Sequence, residues 1–147
     1  MKKLTLKNIQ DKIVLHQKMV MLSFLFGIVG FIYNTWRYEH SEYNNNVRTA
    51  SFQMLKELSK FEQNVYANHY DKDNKKGNPR DGWITIGLIN DLSPFVSLKC
   101  QKEAKKLKVF WKNNWNYIRN DEMRTNQLLS KVENVREASR EVLHNLF

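Results

Sequence analysis

The chain has 147 residues and a formal net charge of +9, from 24 lysines and arginines against 15 aspartates and glutamates. Once an apolar N-terminal segment is set aside, about 110 residues remain, which is enough for one compact domain and excludes a second. A single cysteine, Cys100, excludes an intrachain disulfide.

The positive charge is concentrated in two segments. Residues 1–18 contain five lysines and one aspartate, a net +4, and residues 99–112 contain six lysines and one glutamate, a net +5. All other segments are balanced. The high isoelectric point therefore reflects two basic patches rather than a generally basic protein.

An apolar segment follows the first basic patch. Residues 19–33 read MVMLSFLFGIVGFIY and carry no charge. As a helix they would cover about 22 Å of a hydrocarbon core that is roughly 30 Å thick. Lys18 can extend its ammonium group to the interface, and Trp36 and Arg37 suit the rim of the bilayer. We therefore predict a transmembrane anchor over residues 19–36.

A cleaved signal peptide is the alternative explanation of the N-terminus. Cleavage requires small residues, whereas the segment ends in the bulky sequence YNTW at 33–36, so we expect an uncleaved signal anchor. The flank 1–18 has five lysines, whereas residues 34–53, the twenty after the uncharged run, have only Arg37 and Arg48. From this bias we expect the N-terminus in the cytoplasm and residues 37–147 outside it, in the periplasm of a bacterial inner membrane.

The anchor carries a ridge of small residues. Ser23, Gly27 and Gly30 follow one another at steps of four and three residues, so they share one side of a helix. Small residues let a second membrane helix approach closely. The ridge thus indicates a homo-oligomer or pairing with another membrane protein, with incidental composition as the alternative because glycine is common in membrane helices.

Apolar residues recur with helical spacing after the anchor, at Val47, Ala50, Met54, Leu58, Phe61 and Val65. We predict an amphipathic helix with one buried face. Residues 71–82, DKDNKKGNPRDG, combine two glycines, a proline and mixed charges, and are predicted to form a loop. Residues 83–92 are predicted to form a short helix, because no second strand is visible to pair with a strand there.

Ser93 and Pro94 predict the start of a longer helix, since serine caps free N–H groups and proline is tolerated at the first helical position. Beyond them, eight apolar residues fall within one arc of about 140° at 100° per residue; they are Val96, Cys100, Ala104, Leu107, Phe110, Trp111, Trp115 and Ile118. Six lysines occupy the opposite half, namely Lys99, Lys102, Lys105, Lys106, Lys108 and Lys112. One face is predicted to be core and the other charged.

Asn120 and Asp121 are expected to end that helix and cap the next one. A heptad-like, coiled-coil seam then follows at Leu128, Val132, Val135, Ser139, Val142 and Leu146. Two helices of about 25 residues joined by a short turn form an antiparallel hairpin. Packed against residues 47–70, the hairpin gives an all-α fold: an N-terminal transmembrane helix followed by a three- or four-helix antiparallel bundle.

The six lysines on one half of a helix repel one another, and a counter-surface would relieve that repulsion. Anionic lipid headgroups are the first candidate, at about 1 kcal/mol per lysine near a membrane surface, followed by an acidic partner protein or a polyanion. A solvated face that keeps the domain soluble is the alternative. Nucleic acid is disfavoured, because stacking needs aromatic residues beside the cations, whereas Trp111 and Trp115 fall on the predicted core arc.

Arg80, Asp81 and Trp83 are concentrated between glycines at the end of the predicted loop. Exposed arginine and tryptophan often anchor interfaces, and binding residues gather on loops, so we predict a contact with a ligand or partner here. In the alternative interpretation Arg80 and Asp81 only tighten the turn, Asp81 caps the following helix, and Trp83 enters the bundle.

No pattern points to catalysis. His16, His40, His69 and His144 are scattered without metal-ligand spacing, and Cys100 has no histidine near it in the sequence. A glycine-rich phosphate loop is also missing. We expect neither an enzyme, nor a metal site, nor a cofactor.

These observations favour a single-pass membrane protein whose helical domain acts by protein–protein interaction, as an accessory subunit of an envelope machine or a sensor-like ectodomain. The alternative is a membrane-acting effector or exclusion factor of a phage, mobile element or defence locus, which self-associates through its transmembrane helix. A third class, a cytoplasm-facing protein that binds lipid or nucleic acid, requires the opposite topology.

Overall fold

The computed structural model describes residues 2–146, with side chains from residue 9 onward. Four helices make up the fold: α1 (Lys2–His69), α2 (Pro79–Val96), α3 (Leu98–Asn114) and α4 (Glu122–Asn145). Residues 2–146 contain no strand. The predicted all-α class, with a long apolar N-terminal helix and a following bundle, is confirmed.

The chain divides into two compact units, Met1–Tyr43 and Asn44–Phe147. The first unit consists of the N-terminal part of α1, and every described side chain in residues 9–43 is exposed. Within α1, a stretch of 18 residues is apolar enough and long enough to cross a membrane, and none of it is buried. The N-terminal part of the predicted basic flank, residues 1–8, lies outside the described side chains.

The second unit is the bundle, in which α1 and α3 run in the same direction. Cys100 Sγ near the start of α3 lies 3.2 Å from Met54 Sδ of α1. Further along, the rings of Phe61 and Trp111 meet edge to face with centroids 5.1 Å apart. This geometry contributes about 0.5–1.5 kcal/mol beyond the area it buries. Side chains of α1 and α3 therefore meet inside the core.

The remaining two helices run the opposite way. Ser139, near the end of α4, lies 3.2 Å from Met54 of α1, whereas Thr125, near the start of α4, contacts His69 at the end of α1. Trp83 at the start of α2 reaches Trp111 at the end of α3, with ring centroids 6.2 Å apart. The order along the chain is therefore up, down, up and down, as in an antiparallel four-helix bundle.

Most of the predicted core is confirmed. Burial is complete or nearly so at Val47, Met54, Leu58, Phe61 and Val65 of α1, at Cys100, Ala104, Leu107 and Trp111 of α3, and at Leu128, Val132, Val135 and Ser139 of α4. Trp115, directly after the end of α3 at Asn114, is exposed, and four other predicted core residues are half-buried: Ala50, Phe110, Val142 and Leu146. The Trp115 backbone keeps helical dihedral angles, and its N–H bonds to the Trp111 carbonyl at 2.9 Å. The regular helix stops there, and the side chain is 40% exposed.

The loop predicted over residues 71–82 is too long. Helix α2 begins at Pro79, because the Asn78 side chain accepts a hydrogen bond from the Arg80 N–H at 3.0 Å and proline occupies the first helical position. Asn78, rather than Asp81, is thus the cap. The predicted short helix over 83–92 is the middle of an 18-residue helix.

The helix start predicted at Ser93 and Pro94 is wrong. Pro94 lies inside α2, and the helices meet at Ser97, whose side chain accepts from the Cys100 N–H at 3.1 Å and caps α3. Proline removes the N–H that would bond to the carbonyl of Asn90. The Ser93 hydroxyl donates to that carbonyl at 2.7 Å and replaces the missing bond.

The connection between α1 and α2 is held to α1 by two asparagines. Asn68 Nδ2 donates to the Gly77 carbonyl at 2.6 Å, and Asn64 Nδ2 donates to the carbonyls of Lys76 and Asn78 at 2.9 and 3.0 Å. Gly77 therefore lies directly on the backbone of α1. A Cβ at position 77 would stand 2.5 Å from the Asn68 Cα and 2.7 Å from the Asp73 carbonyl oxygen.

We predict that Gly77→Ala destabilises the bundle by roughly 2–4 kcal/mol, because the methyl group would meet backbone atoms that cannot rotate away. Gly87→Ala is the matched control: position 87 is inside α2 with no atom within 4 Å of a built Cβ. That change should stabilise the helix by about 0.5–1 kcal/mol. Urea unfolding of the full chain in detergent, followed by circular dichroism, measures the free energy of unfolding of both variants. Similar changes in that free energy at the two positions would contradict the packing described.

Candidate interaction surface

The lysines of α3 lie opposite its buried face. Cys100, Ala104, Leu107 and Trp111 face the core, and the six lysines are all exposed: Lys99, Lys102, Lys105, Lys106, Lys108 and Lys112. Because α3 lies between α2 and α4 and packs on α1, only its outer half can meet solvent. The division into a core face and a charged face predicted from periodicity is therefore confirmed.

Two of the six lysines are neutralised locally. Lys106 Nζ lies 2.7 Å from Glu103 one turn earlier, and Lys99 forms an ion pair with Glu141 of α4. Both pairs are solvent-exposed on the lysine side, so each contributes little to the stability of the bundle. The two ion pairs therefore reduce the mutual repulsion among the six lysines of α3.

The other four lysines form what we call the lysine face: Lys102, Lys105, Lys108 and Lys112. Among residues 9–146, no ion pair joins any of them to a carboxylate. Val109, which is 51% exposed, stands among them on the same side of the helix. Four uncompensated cations around an apolar side chain form a surface suited to an anionic partner that also offers apolar contact.

Grooves flank the lysine face on both sides. The groove between α2 and α3 has a volume of about 780 Å³, and besides the four lysines it is lined by Trp83, Asn90, Asp91, Pro94, Gln101 and Val109. The groove between α3 and α4 has a volume of about 590 Å³ and is floored by Val109 and Phe110. Lys131 of α4 borders it, with its ammonium nitrogen 5.4 Å from the centre of the Phe110 ring.

The structure separates the three residues predicted to make a loop contact. Trp83 packs against Trp111, is 36% exposed and lines the groove beside the lysines. Asp81 instead lines a different hollow, between α1 and α2, and Arg80 is exposed in the first turn of α2. Trp83 thus belongs with the lysine face, and all three residues are helical because α2 begins earlier than predicted.

The small residues of the apolar segment all lie on an exposed helix surface. The Ser23 hydroxyl donates to the Met19 carbonyl at 2.9 Å, so its polar group is satisfied within the helix. A Cβ at Gly27 or Gly30 would have no neighbour within 4 Å. Close approach of another helix along this ridge is sterically open, and self-association through it stays a prediction.

Residues at the predicted ends of the anchor are also exposed. Trp36 stacks on His40, with ring centroids 5.8 Å apart and an interplanar angle of 9°, and meets Tyr33 at 6.3 Å. Lys18 and Arg37 are exposed at either side of the apolar residues. An aromatic cluster next to an arginine is the composition expected at a membrane interface.

Sequence reasoning missed a buried polar cluster in the core. Cys100 Sγ, Ser139 Oγ and Met54 Sδ lie 3.2 Å from one another. The serine hydroxyl also donates to the Val135 carbonyl at 3.0 Å, so its polar group is paired. Only tertiary packing brings these residues together, since the nearest two are 39 positions apart in the chain.

A second buried polar contact joins the two chain connections at the far end of the bundle. His69 Nδ1 lies 2.6 Å from the Ile118 carbonyl oxygen and 3.2 Å from Thr125 Oγ1. Because a carbonyl can only accept, Nδ1 carries the proton. The histidine therefore ties the end of α1 to the turn between α3 and α4. No group of three or more histidine, cysteine or acidic residues with metal-binding geometry occurs among the described residues.

Comparison with protein-family models, with curated protein sequences and with solved structures finds no match to this chain.

We predict that Cys100 makes the stability of the bundle fall at alkaline pH. Burial raises the pKa of the Cys100 thiol, and this exceeds the opposite effect of the Ser139 hydrogen bond. In the unfolded chain a thiol ionises near pH ~8.5. Above that pH the unfolded state loses a proton that the native state retains, so the free energy of unfolding falls as the pH rises.

Urea unfolding in detergent at pH 8 and pH 10 tests this for the full chain and for Cys100→Ala. The unsubstituted protein should lose of the order of 1 kcal/mol more than the variant between the two pH values. Tyrosines and lysines, which titrate in the same range, are present in both proteins and cancel in the comparison. Equal losses would mean that the thiol is not protected from ionisation in the folded state.

Proposed function

We propose that this protein is a non-catalytic interaction module held at a membrane: residues 19–36 anchor it, and the lysine face of α3 binds an acidic surface of another membrane or envelope protein. The observation that carries the proposal is the lysine face itself, four exposed cations without a carboxylate partner among residues 9–146. Each like-charge pair on adjacent turns costs a few tenths of a kcal/mol. An acidic partner would remove that cost and add attraction.

The grooves beside the lysine face support a protein as the partner. Trp83 and Val109 are partly exposed between cations, and Phe110 floors the second groove. Buried aromatic residues supply most of the affinity at protein interfaces, and charges set the orientation and the association rate. A partner helix with acidic residues beside apolar ones would match both features.

The exposed apolar segment supports a membrane location. The side chains of residues 19–36 are all exposed, and in water they would leave a continuous apolar surface exposed. At about 25 cal/mol per Å² such a surface is costly to hydrate, and a bilayer removes that cost. The lysines of residues 1–18 favour the cytoplasmic side of a bacterial inner membrane for the N-terminus and the periplasm for the bundle.

Reversing the lysine face should abolish partner binding. The test is the amount of partner protein that co-purifies with the tagged full chain from detergent-solubilised native membranes. We expect this amount to be at least fivefold lower for the triple variant Lys102→Glu/Lys105→Glu/Lys108→Glu, because attraction to an acidic partner becomes repulsion. Raising the salt concentration from about 0.05 to 0.3 M should weaken the unsubstituted complex, since screening shortens the range of the charges.

The matched control is Lys56→Glu/Lys75→Glu/Lys76→Glu, which makes the same charge change at exposed lysines outside α3. It should retain the partner. Quantitative mass spectrometry of the co-purified proteins compares the two variants. If both variants keep, or both lose, the same proteins, the lysine face is not the recognition surface.

The full chain should remain in the membrane pellet after a wash with alkaline carbonate and should need detergent for extraction, because about eighteen apolar residues are sequestered in the bilayer. A reporter active only outside the cytoplasm, fused after residue 147, should be active. Recovery of the protein in a detergent-free supernatant, or trimming after Trp36, would refute the anchor. Activity of a cytoplasmic reporter instead would refute the orientation alone.

A further inference from the structure

The link between α2 and α3 exposes two large apolar side chains. Phe95 is 69% exposed and Leu98 is 77% exposed, which is the highest value for a large apolar side chain among residues 9–146. They are three residues apart, on either side of the α3 cap Ser97. We call this pair the apolar corner. Neither residue lines either of the two grooves beside the lysine face.

The apolar corner lies at the end of the bundle that contains the first buried residues of α1 in chain order. Cys100, two residues after Leu98, contacts Met54 of α1, which is close to the start of the second unit. Met123, at the start of α4, marks the opposite end, because the neighbouring Thr125 contacts the last residue of α1. The two ends therefore differ in their distance along α1 from the apolar segment.

Covalent connection keeps this end of the bundle within reach of a bilayer. Only residues 37–46 separate Trp36 from Val47, the first buried residue of the second unit. Even fully extended, that connection spans at most about 40 Å, at roughly 3.5 Å per residue. This limit holds for any arrangement of the two units.

The charges next to the apolar corner favour an anionic surface. Lys102 lies one turn after Leu98 on the same side of α3 and belongs to the lysine face. Lys99 is paired with Glu141, so that acidic group is neutralised. Asp91, one turn before Phe95, is exposed and lines the groove that also contains Lys102. Apolar residues that protrude beside cations are the combination that binds the interface of anionic membranes.

We infer that the apolar corner inserts into the headgroup region of the anionic bilayer that holds the anchor, with Lys102 against the lipid phosphates. The inference rests on the proposed membrane location but not on the acidic partner protein. Phe95 and Leu98 protrude and lie outside the two grooves that a protein ligand would fill. A bilayer can cover such protruding side chains. Burial of each in the interface removes apolar surface from water without requiring a complementary pocket.

Depth-dependent fluorescence quenching tests the inference on the full chain in nanodiscs. On a Cys100→Ala background, the environment-sensitive label NBD is attached at Leu98→Cys, at Met123→Cys and at Phe26→Cys. Met123 is the matched control because it is 72% exposed but lies at the other end of the bundle. Phe26 reports on the anchor itself. Bilayers contain either phosphatidylcholine alone or a mixture with about one third phosphatidylglycerol, each with brominated chains as quencher.

We expect strong quenching at position 26 in both bilayers, at least twofold quenching at position 98 in the anionic bilayer, and none at position 123. Lys102→Glu should reduce the quenching at position 98 to the level in phosphatidylcholine. Phe95→Ser, an exposed change that leaves the core intact, should also reduce it.

Quenching at position 26 without quenching at position 98 would overturn the inference and leave the anchor standing. An unquenched label at position 26 would overturn the anchor and the inference together. Equal quenching at position 98 in both bilayers would overturn the assignment to anionic headgroups, and equal quenching at positions 98 and 123 would overturn the assignment to the apolar corner.

Discussion

The packing of α3 on α1 determines which surfaces the bundle presents. Trp111 of α3 lies against Phe61 of α1, and it is the largest fully buried side chain among the described residues. Once that face is fixed, helical geometry leaves the opposite half of α3 no place except the surface. Gly82 of α2 permits the arrangement, because a Cβ there would stand 2.7 Å from the Trp111 ring. The lysine face is thus a consequence of the same contact that forms the core.

The sequence alone predicted the features that depend on periodicity. Apolar residues at helical spacing identified the buried faces of α1, α3 and α4, because burial of a helix face imposes a repeat that tertiary context does not change. The predicted boundaries were less reliable. Ser93 and Pro94 are a typical helix-start signal. The Ser93 hydroxyl can also donate to the Asn90 carbonyl, which loses its usual partner because proline has no N–H, and this is the arrangement in the structure. Local chemistry allowed both outcomes, and packing selected one.

Prediction of the candidate surface had a similar limit. Exposure of the six lysines follows from their spacing along one helix, so sequence was sufficient. Which of them keep their charge unpaired depends on distant neighbours, such as Glu141, which is 42 residues from Lys99. The grooves depend on α2 and α4 for the same reason, and Trp83 joins the lysine face only because α2 runs antiparallel to α3. No short-range pattern contains that information.

The treatment of polar and apolar groups differs between the two units, and this difference is the strongest physical argument for a membrane role. Inside the bundle, the large apolar side chains are enclosed in a core, and buried His69, Thr125 and Ser139 find hydrogen-bond partners. The buried indole N–H of Trp111 has no partner among the described residues. In the first unit, by contrast, the apolar side chains of residues 19–33 all lie on the outside. A chain that encloses its large apolar side chains in a core in one unit would gain nothing from leaving an apolar surface in water in the other. The two patterns are consistent if the solvent differs, with water around the bundle and hydrocarbon around the apolar segment.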